Sequence, residues 1–278
     1  MRVKGKAGRL TGVIPRSACT GEGRDPGIGC RSPFSWWGGR ERPMNPRRES
    51  AGRPAVNPVT QENPGLLSAL HRFLSPGDVF LDIGANVGVF AIDIALHLGR
   101  RGTVHAFEPA ADAARELRKN ARRAGVSDRI DIFRIALGSK TELRTLHADP
   151  RDPLDWSKRS LFSAGPVVGE VIVRAFDDLV EAKDIVLPNG LQAVKIDVEG
   201  AEAEVLRGMA RTMRELRPRI AVVETMQDHQ QRAGSSVENI DAVLSDLGYV
   251  PSPTDSGVPS FFYNTVYVAR EPLSSSRR

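Results

Sequence analysis

The sequence predicts an α/β fold: a three-layer sandwich around a mostly parallel sheet whose last strand runs against the others. Three observations predict it. From Val79 onward, short apolar runs alternate with segments of helical period, the pattern of successive βα units. The first run, Val79-Phe80-Leu81-Asp82-Ile83, closes in a glycine turn, Gly84-Ala85-Asn86-Val87-Gly88, that opens the apolar helical pattern Val89 to Leu98. The last two strands, near Tyr249 and over Thr265 to Ala269, have only Pro251 to Phe262 between them, so they must pair antiparallel.

Taken in order, Leu66, Leu67, Leu70, Phe73 and Leu74 have helical spacing, and Pro76-Gly77-Asp78 is a turn. Strands are expected at 79–83, 103–107 and 130–135, with helices at 88–99 and 110–124 between them. In the second helix Ala113, Leu117 and Ala121 face the core, Glu116, Lys119 and Asn120 face water, and Gly125 is a C-terminal cap. Residues 139–178 break the alternation. Two β-like pieces, Thr141 to His147 and Glu170 to Ala175, flank a Pro, Asp and Arg-rich stretch, which predicts an antiparallel insertion on the C-terminal rim of the sheet. Regular order resumes with strand 192–198, a helix from about Ala201, strand 219–223 and helix 237–247.

Charge separates the chain into parts. Residues 1–58 hold 12 Lys and Arg against 4 Asp and Glu, a net of +8, together with 10 Gly and 7 Pro. Residues 59–278 hold 27 against 30, a net of −3. The basicity that invites a nucleic-acid reading therefore belongs to the first segment. That segment lacks periodicity and is expected to be a disordered tail, with Trp36 and Trp37 as docking candidates. It admits three readings: a mis-assigned start with Met44 as initiator, a tail without specific role, or an arm for nucleic acid or membrane. Residues 59–270 are expected to form the folded domain and 271–278 a flexible tail. Cys19 and Cys30 both lie before residue 59, so the domain has no disulfide, cysteine-rich zinc site or thiol nucleophile, which suits a reducing cytoplasm. No run approaches the ~18 apolar residues of a transmembrane span.

The glycine turn follows a buried strand, and Gly84 and Gly88 carry no Cβ, so a ligand can press against bare backbone there. Asp82 needs a partner in so apolar a place, and a ligand ammonium would provide one. Asn86 is read either as a cap on the next helix or as a ligand contact. The second strand ends in Glu108, whose carboxylate can accept both hydroxyls of a ribose. Together these describe a site for an adenosine cofactor. A dinucleotide would need a glycine where Ala85 and Asn86 stand, and an acidic residue points where its phosphates would lie. A cationic, phosphate-free ligand such as S-adenosylmethionine fits better.

A second constellation is Lys195-Ile196-Asp197-Val198-Glu199-Gly200-Ala201-Glu202. Strand alternation turns Lys195, Asp197 and Glu199 to one side at the ligand-binding end of the sheet. The next strand ends at Glu224, followed by Asp228 and His229. Asp197, Glu199, Glu224 and His229 are expected to converge, and two accounts stay open: Asp197, Glu199 and Glu224 are ligands for Mg²⁺ or Mn²⁺ with His229 as a base, or no metal is bound, Asp197 orients the cofactor or acceptor, and His229 alone takes the proton. Glu202 is read either as part of this group or as a carboxylate on a helix N-terminus. His105 lies within a strand and is expected in the core. Residues 59–278 hold no cysteine to attack a pyrimidine and show no basic aromatic stripe, so nucleic acid is not the expected partner.

Asp82 to Gly88, Phe107-Glu108-Pro109, Ala136-Leu137-Gly138, Lys195 to Glu202 with Val205-Leu206-Arg207-Gly208, and finally Glu224 resemble the FkbM-type family of S-adenosylmethionine-dependent methyltransferases over residues 60–270. The resemblance implies a Rossmann-like class I methyltransferase fold and methylation of a hydroxyl on a sugar or natural product. It places Asp82, Gly84, Asn86 and Gly88 on the cofactor loop, Glu108 on the ribose, and Asp197 and Glu199 on the family's second signature. The chain departs from the pattern in residues 1–58, and at Arg159-Ser160-Leu161, where the family often has Ser-Ser-Leu. The expected acceptor is a small-molecule hydroxyl. The alternatives are a nucleic-acid methyltransferase using the basic tail and a NAD-dependent oxidoreductase or nucleotide-binding protein on the same scaffold.

Overall fold

The computed structural model describes residues 64–187, 189–252 and 264–270. The expectations attached to Cys19, Cys30, Trp36, Trp37, Met44 and the two tails lie outside the described residues. Eight helices and ten strands follow in chain order among them: α1 (Pro64–Phe73), β1 (Val79–Ile83), α2 (Val89–Leu98), β2 (Thr103–Phe107), α3 (Ala111–Arg123), β3 (Ile130–Phe133), β4 (Ala136–Leu137), β5 (Glu142–His147), β6 (Val167–Arg174), α4 (Phe176–Glu181), β7 (Ala193–Ile196), α5 (Glu202–Gly208), α6 (Ala210–Leu216), β8 (Ile220–Glu224), α7 (Gln227–Arg232), α8 (Val237–Asp246), β9 (Tyr249–Pro251) and β10 (Asn264–Ala269).

The main sheet has the order β3-β2-β1-β7-β8-β10-β9. β3, β2, β1, β7 and β8 run parallel, while β10 runs antiparallel to both β8 and β9. Alternation along each strand feeds two cores. Phe80, Val104, Ala106, Ile220 and Val222 pack with α1, α2 and α3. Leu81, Ile83, Val194, Ile196, Ala221 and Val223 pack on the other face with α4, α5, α6 and α8. This is the three-layer sandwich read from the sequence, and the strand order reverses between the neighbours β1 and β7, which puts their C-terminal ends at a switch point, where α/β sheets hold ligands.

The insertion is a separate three-stranded sheet of order β4-β6-β5. The expected strand 130–135 stops at Phe133. Ala136 and Leu137 leave the main sheet and pair in parallel with Val173 and Arg174, and Gly138 N–H donates to Arg174 C=O. The insertion thus begins before 139, and its end is helical: α4 forms from Phe176, and the Asp177 carboxylate accepts the N–H groups of Arg211 and Thr212 at the start of α6. The single helix expected from Ala201 is two, broken at Met209. At the break Gly208 lies so close to the second sheet that a Cβ would sit 1.9 Å from the Gly138 carbonyl oxygen. α7 has no counterpart among the expected elements, because its six residues carry too few apolar positions for the period to register. His105 is buried in β2, as expected, with Nδ1 3.3 Å from the Asp131 carboxylate.

Candidate active site

A cleft of about 590 Å³, counting the solvent at its mouth, opens over the ends of β1, β2 and β7. The main sheet supplies Gly84, Asn86, Glu108, Asp197 and Glu199 to its wall; the second sheet and its loops supply Leu146, Trp156, Arg159 and Leu161.

The turn after β1 is held by main chain. Gly84 N–H and Ala85 N–H both donate to Phe107 C=O at 3.0 Å, and Asn86 N–H donates to Glu108 Oε2 at 2.9 Å. Gly84 (φ 82°), Asn86 (φ 47°) and Gly88 (φ 93°) all take the left-handed region. The glycines are required first by the chain itself. A Cβ on Gly84 would lie 1.8 Å from the Asp197 carbonyl oxygen, and one on Gly88 would lie 2.0 Å from Leu117 Cδ1. Gly84 lines the cleft and Gly88 does not, so the bare backbone expected for a ligand at both is open at Gly84 alone. Asn120, expected on the wet face of α3, donates through Nδ2 to Val87 C=O and pins the turn. Asn86 does not cap α2; its Oδ1 is buried without a partner.

Glu108 is 7% exposed, and its other oxygen accepts Ala110 N–H at 2.8 Å. Burial pushes its carboxyl up to about 7, against the pull of the two N–H donors and Arg159. Asp82 lies beneath the turn, 1% exposed and off the cleft wall. Neither of its oxygens makes a well-formed hydrogen bond, and the Ala91 N–H acts on it only weakly. Burial raises it to about 6, and Lys195, its register partner on β7, holds it from rising further. The cation expected from a ligand is therefore supplied by the chain. Burial alone would lower the Lys195 pKa, but Asp197 and Asp82 outweigh it and raise it. Lys195 Nζ is 2.8 Å from Asp197 Oδ2 and 4.8 Å from the centre of the Phe90 ring.

β7 ends at Ile196, and the alternation expected to align Lys195, Asp197 and Glu199 ends with it. Glu199 takes φ 59° and turns its carboxylate away, so that Oε2 is 2.9 Å from His229 Nδ1. Glu224 Oε2 is 3.3 Å from the same nitrogen. Glu199, Glu224 and His229 converge, with one ligand atom from each within 4.8 Å of the others; Asp197, expected among the metal ligands, is not in that group and is bound to Lys195. Burial raises Glu199 and brings Glu224 to about 7. Burial opposes charge on His229 too, but the two carboxylates prevail and lift it to about 10. An imidazole held so is a cation at neutral pH and has no lone pair to act as the expected base.

Glu202 is fully buried and serves the loop: it accepts Val198 N–H at 2.9 Å, Gly200 N–H at 3.0 Å and the Gln230 amide. Ser160 Oγ donates to Glu199 C=O at 2.6 Å. Sequence reasoning did not include Trp156, Arg159 and Leu161 among the site residues, although the departure at Arg159-Ser160-Leu161 marked the place.

The family model of the FkbM methyltransferase domain matches residues 82–251. This chain belongs to that family. A similar FkbM-family relative is the 31-O-demethyl-FK506 methyltransferase FkbM of Streptomyces tacrolimicus, 32% identical over 167 residues that cover 49% of this chain and 61% of the relative. A second similar protein is the hexuronic acid methyltransferase AglP of Haloferax volcanii, 27% identical over 61% of this chain and 62% of the relative. This FkbM-family chain thus spans about three fifths of the length of each. Among solved structures it is similar to the O-methyltransferase TomG of Streptomyces achromogenes, with a TM-score of 0.45, 15% identity, and coverage of 78% of this chain and 82% of that one. No helix among the described residues is long and apolar enough to cross a membrane.

Proposed function

We propose that this chain is an S-adenosylmethionine-dependent O-methyltransferase acting on a hydroxyl of a sugar or natural-product small molecule. One observation carries the reading. On the cleft wall stand a buried carboxylate, Glu108, and a buried acceptor with no partner, Asn86 Oδ1. Both call for donors of the kind a ribose diol and an amino acid end offer. When bound, S-adenosylmethionine supplies the electrophilic methyl group on its sulfonium. Glu108 would hold the ribose, Asn86 a second polar group, and Gly84 the closest backbone approach. Asp82 and Gly88 would keep the turn in shape from below.

Proton removal falls to the other end of the cleft. A neutral hydroxyl is a poor nucleophile, and a carboxylate that accepts its hydrogen bond improves it as the proton leaves. Asp197 is on the wall and oriented by Lys195; Glu199 is on the wall and held by His229. The net charge of −3 over residues 59–278 favours a small acceptor over nucleic acid. So do relatives whose names give 31-O-demethyl-FK506 and a hexuronic acid as what they methylate.

A second reading adds Mg²⁺ or Mn²⁺ at Glu199, Glu224 and His229, favoured by the convergence of their ligand atoms. Such an ion would have to displace the His229 proton. Calorimetry with S-adenosylhomocysteine against NAD tests the first reading: binding of NAD alone would reject it. Transfer of labelled methyl to a panel of sugars and hydroxylated natural products, in EDTA and then with Mg²⁺, tests the second. Full transfer in chelator removes the ion.

A further inference from the structure

The part of the cleft wall furthest from family signatures is the stretch between β5 and β6, and it is built like a binding surface. Arg159 grips Asp112 with both terminal nitrogens, at 2.5 and 2.8 Å, and its side chain is 10% exposed. Its guanidinium carbon lies 5.2 Å from the centre of the Trp156 ring. Its Nε is buried and makes no hydrogen bond. Asp112 sits in the first turn of α3, four residues after Glu108, so the grip brings Trp156 and Arg159 to the Glu108 end of the cleft. Arg159 also acts electrostatically on Glu108. Around them Pro109, Ala136, Leu137 and Leu161 are apolar, whereas the far end carries Asp197 and Glu199. The cleft is therefore aromatic and apolar at one end and anionic at the other.

We infer that Trp156 and Arg159 clamp the adenosine half of the cofactor, so that the insertion, and not the Rossmann-like core alone, completes the cofactor site. The inference rests on the S-adenosylmethionine reading and orients the ligand within it. A flat purine suits an indole face and an apolar slot, the free Nε–H offers a donor to its ring nitrogens or ribose oxygens, and the ammonium of the other half suits the anionic end. Asp112 is a positioning residue: it fixes the guanidinium, and through it the loop. Of the residues on the cleft wall, the main sheet contributes one aromatic ring, Phe107, and the insertion contributes the indole.

The test uses the full chain and two ligands, S-adenosylhomocysteine and 5′-methylthioadenosine, which shares the adenosine half and lacks the amino acid. Trp156→Ala should weaken both by about tenfold, Trp156→Phe by less than about threefold, and Asp112→Ala by a few-fold, equally for both ligands. Either ligand should quench fluorescence that is absent from Trp156→Phe. Unchanged affinity for S-adenosylhomocysteine in a Trp156→Ala variant with wild-type thermal melting overturns the clamp. So does a loss for S-adenosylhomocysteine with none for 5′-methylthioadenosine, which would put the ring at the amino acid end. Failure of the unaltered chain to bind either ligand rejects the cofactor reading itself, and the clamp with it.

Discussion

The mouth over β1 and β2 and the mouth over β7 and β8 lie side by side and are built by opposite means. The first is tied by peptide groups: two N–H groups share the Phe107 carbonyl, and two more converge on one carboxylate, Glu108. The second is tied by side chains. Glu202 gathers Val198, Gly200 and Gln230, Ser160 holds the Glu199 carbonyl, and Glu199, Glu224 and His229 hold one another. The first should therefore fail when the backbone is forced and the second when charge is altered.

The largest expected effect is at Gly84. Alanine there meets a backbone carbonyl in a left-handed conformation, and the loss should be ~3 kcal/mol or more in urea unfolding. Gly88→Ala meets the side-chain ends of Leu117 and Ile92 and no backbone, and should cost ~2 kcal/mol; equal losses would show that the turn is not locked to the Asp197 peptide. Next is Glu108→Ala. Hydrogen bonds to a charged group contribute about 1.5–3 kcal/mol each, so affinity for S-adenosylhomocysteine should drop tenfold or more with the fold intact. Glu224→Gln, in the second mouth and off the cleft wall, should leave that affinity within about threefold; a comparable loss would erase the division between the two mouths.

Two smaller effects depend on pH. Ligand donors favour ionised Glu108, whose carboxyl in the free protein sits at about 7. Binding should then release a proton at acid pH, and affinity should fall by up to about tenfold from pH 8 to pH 6, read by calorimetry in buffers of different ionisation heat. For stability the sign follows from the raised groups. Glu202 and Glu224, at about 7, sit above the ordinary carboxylate value, so the folded state binds protons that the unfolded chain has lost, and stability declines as pH rises through that window. His229, raised to about 10, contributes stability below its ordinary value that is lost as pH rises through 10. Both act in one direction. The urea midpoint should be higher at pH 5.5 than at pH 8.5, and Glu202→Gln should narrow the difference.

The first mouth was legible in the sequence because its signals are local. An apolar run, a carboxylate, two glycines and a helix period lie within a few residues, and Glu108 closes the very next strand. The second was legible only in composition. Glu199, Glu224 and His229 do meet, but strand alternation stopped at Ile196, and a positive φ at Glu199 sent its carboxylate to His229 while Asp197 stayed with Lys195. Asp82 was read as waiting for a ligand because its cation lies 113 positions later on a neighbouring strand. Trp156 and Arg159 were beyond reach for the same reason: their position over the cleft follows from a grip on Asp112, 47 residues away, and no period in the sequence encodes it.

The near-touch of Gly208 and Gly138 gives the cleft a mechanical gauge. Nothing softer than two bare backbones stands between α5 and the second sheet at that point, so the spacing there has no slack in the closing direction. One methyl group at 208 would act as a shim, levering the sheet that carries Trp156 away from the wall that carries Glu108. The second sheet is thus held at two points, the Arg159–Asp112 grip inside the cleft and this contact outside it, and the second offers a place to alter the spacing without changing a residue that lines the slot.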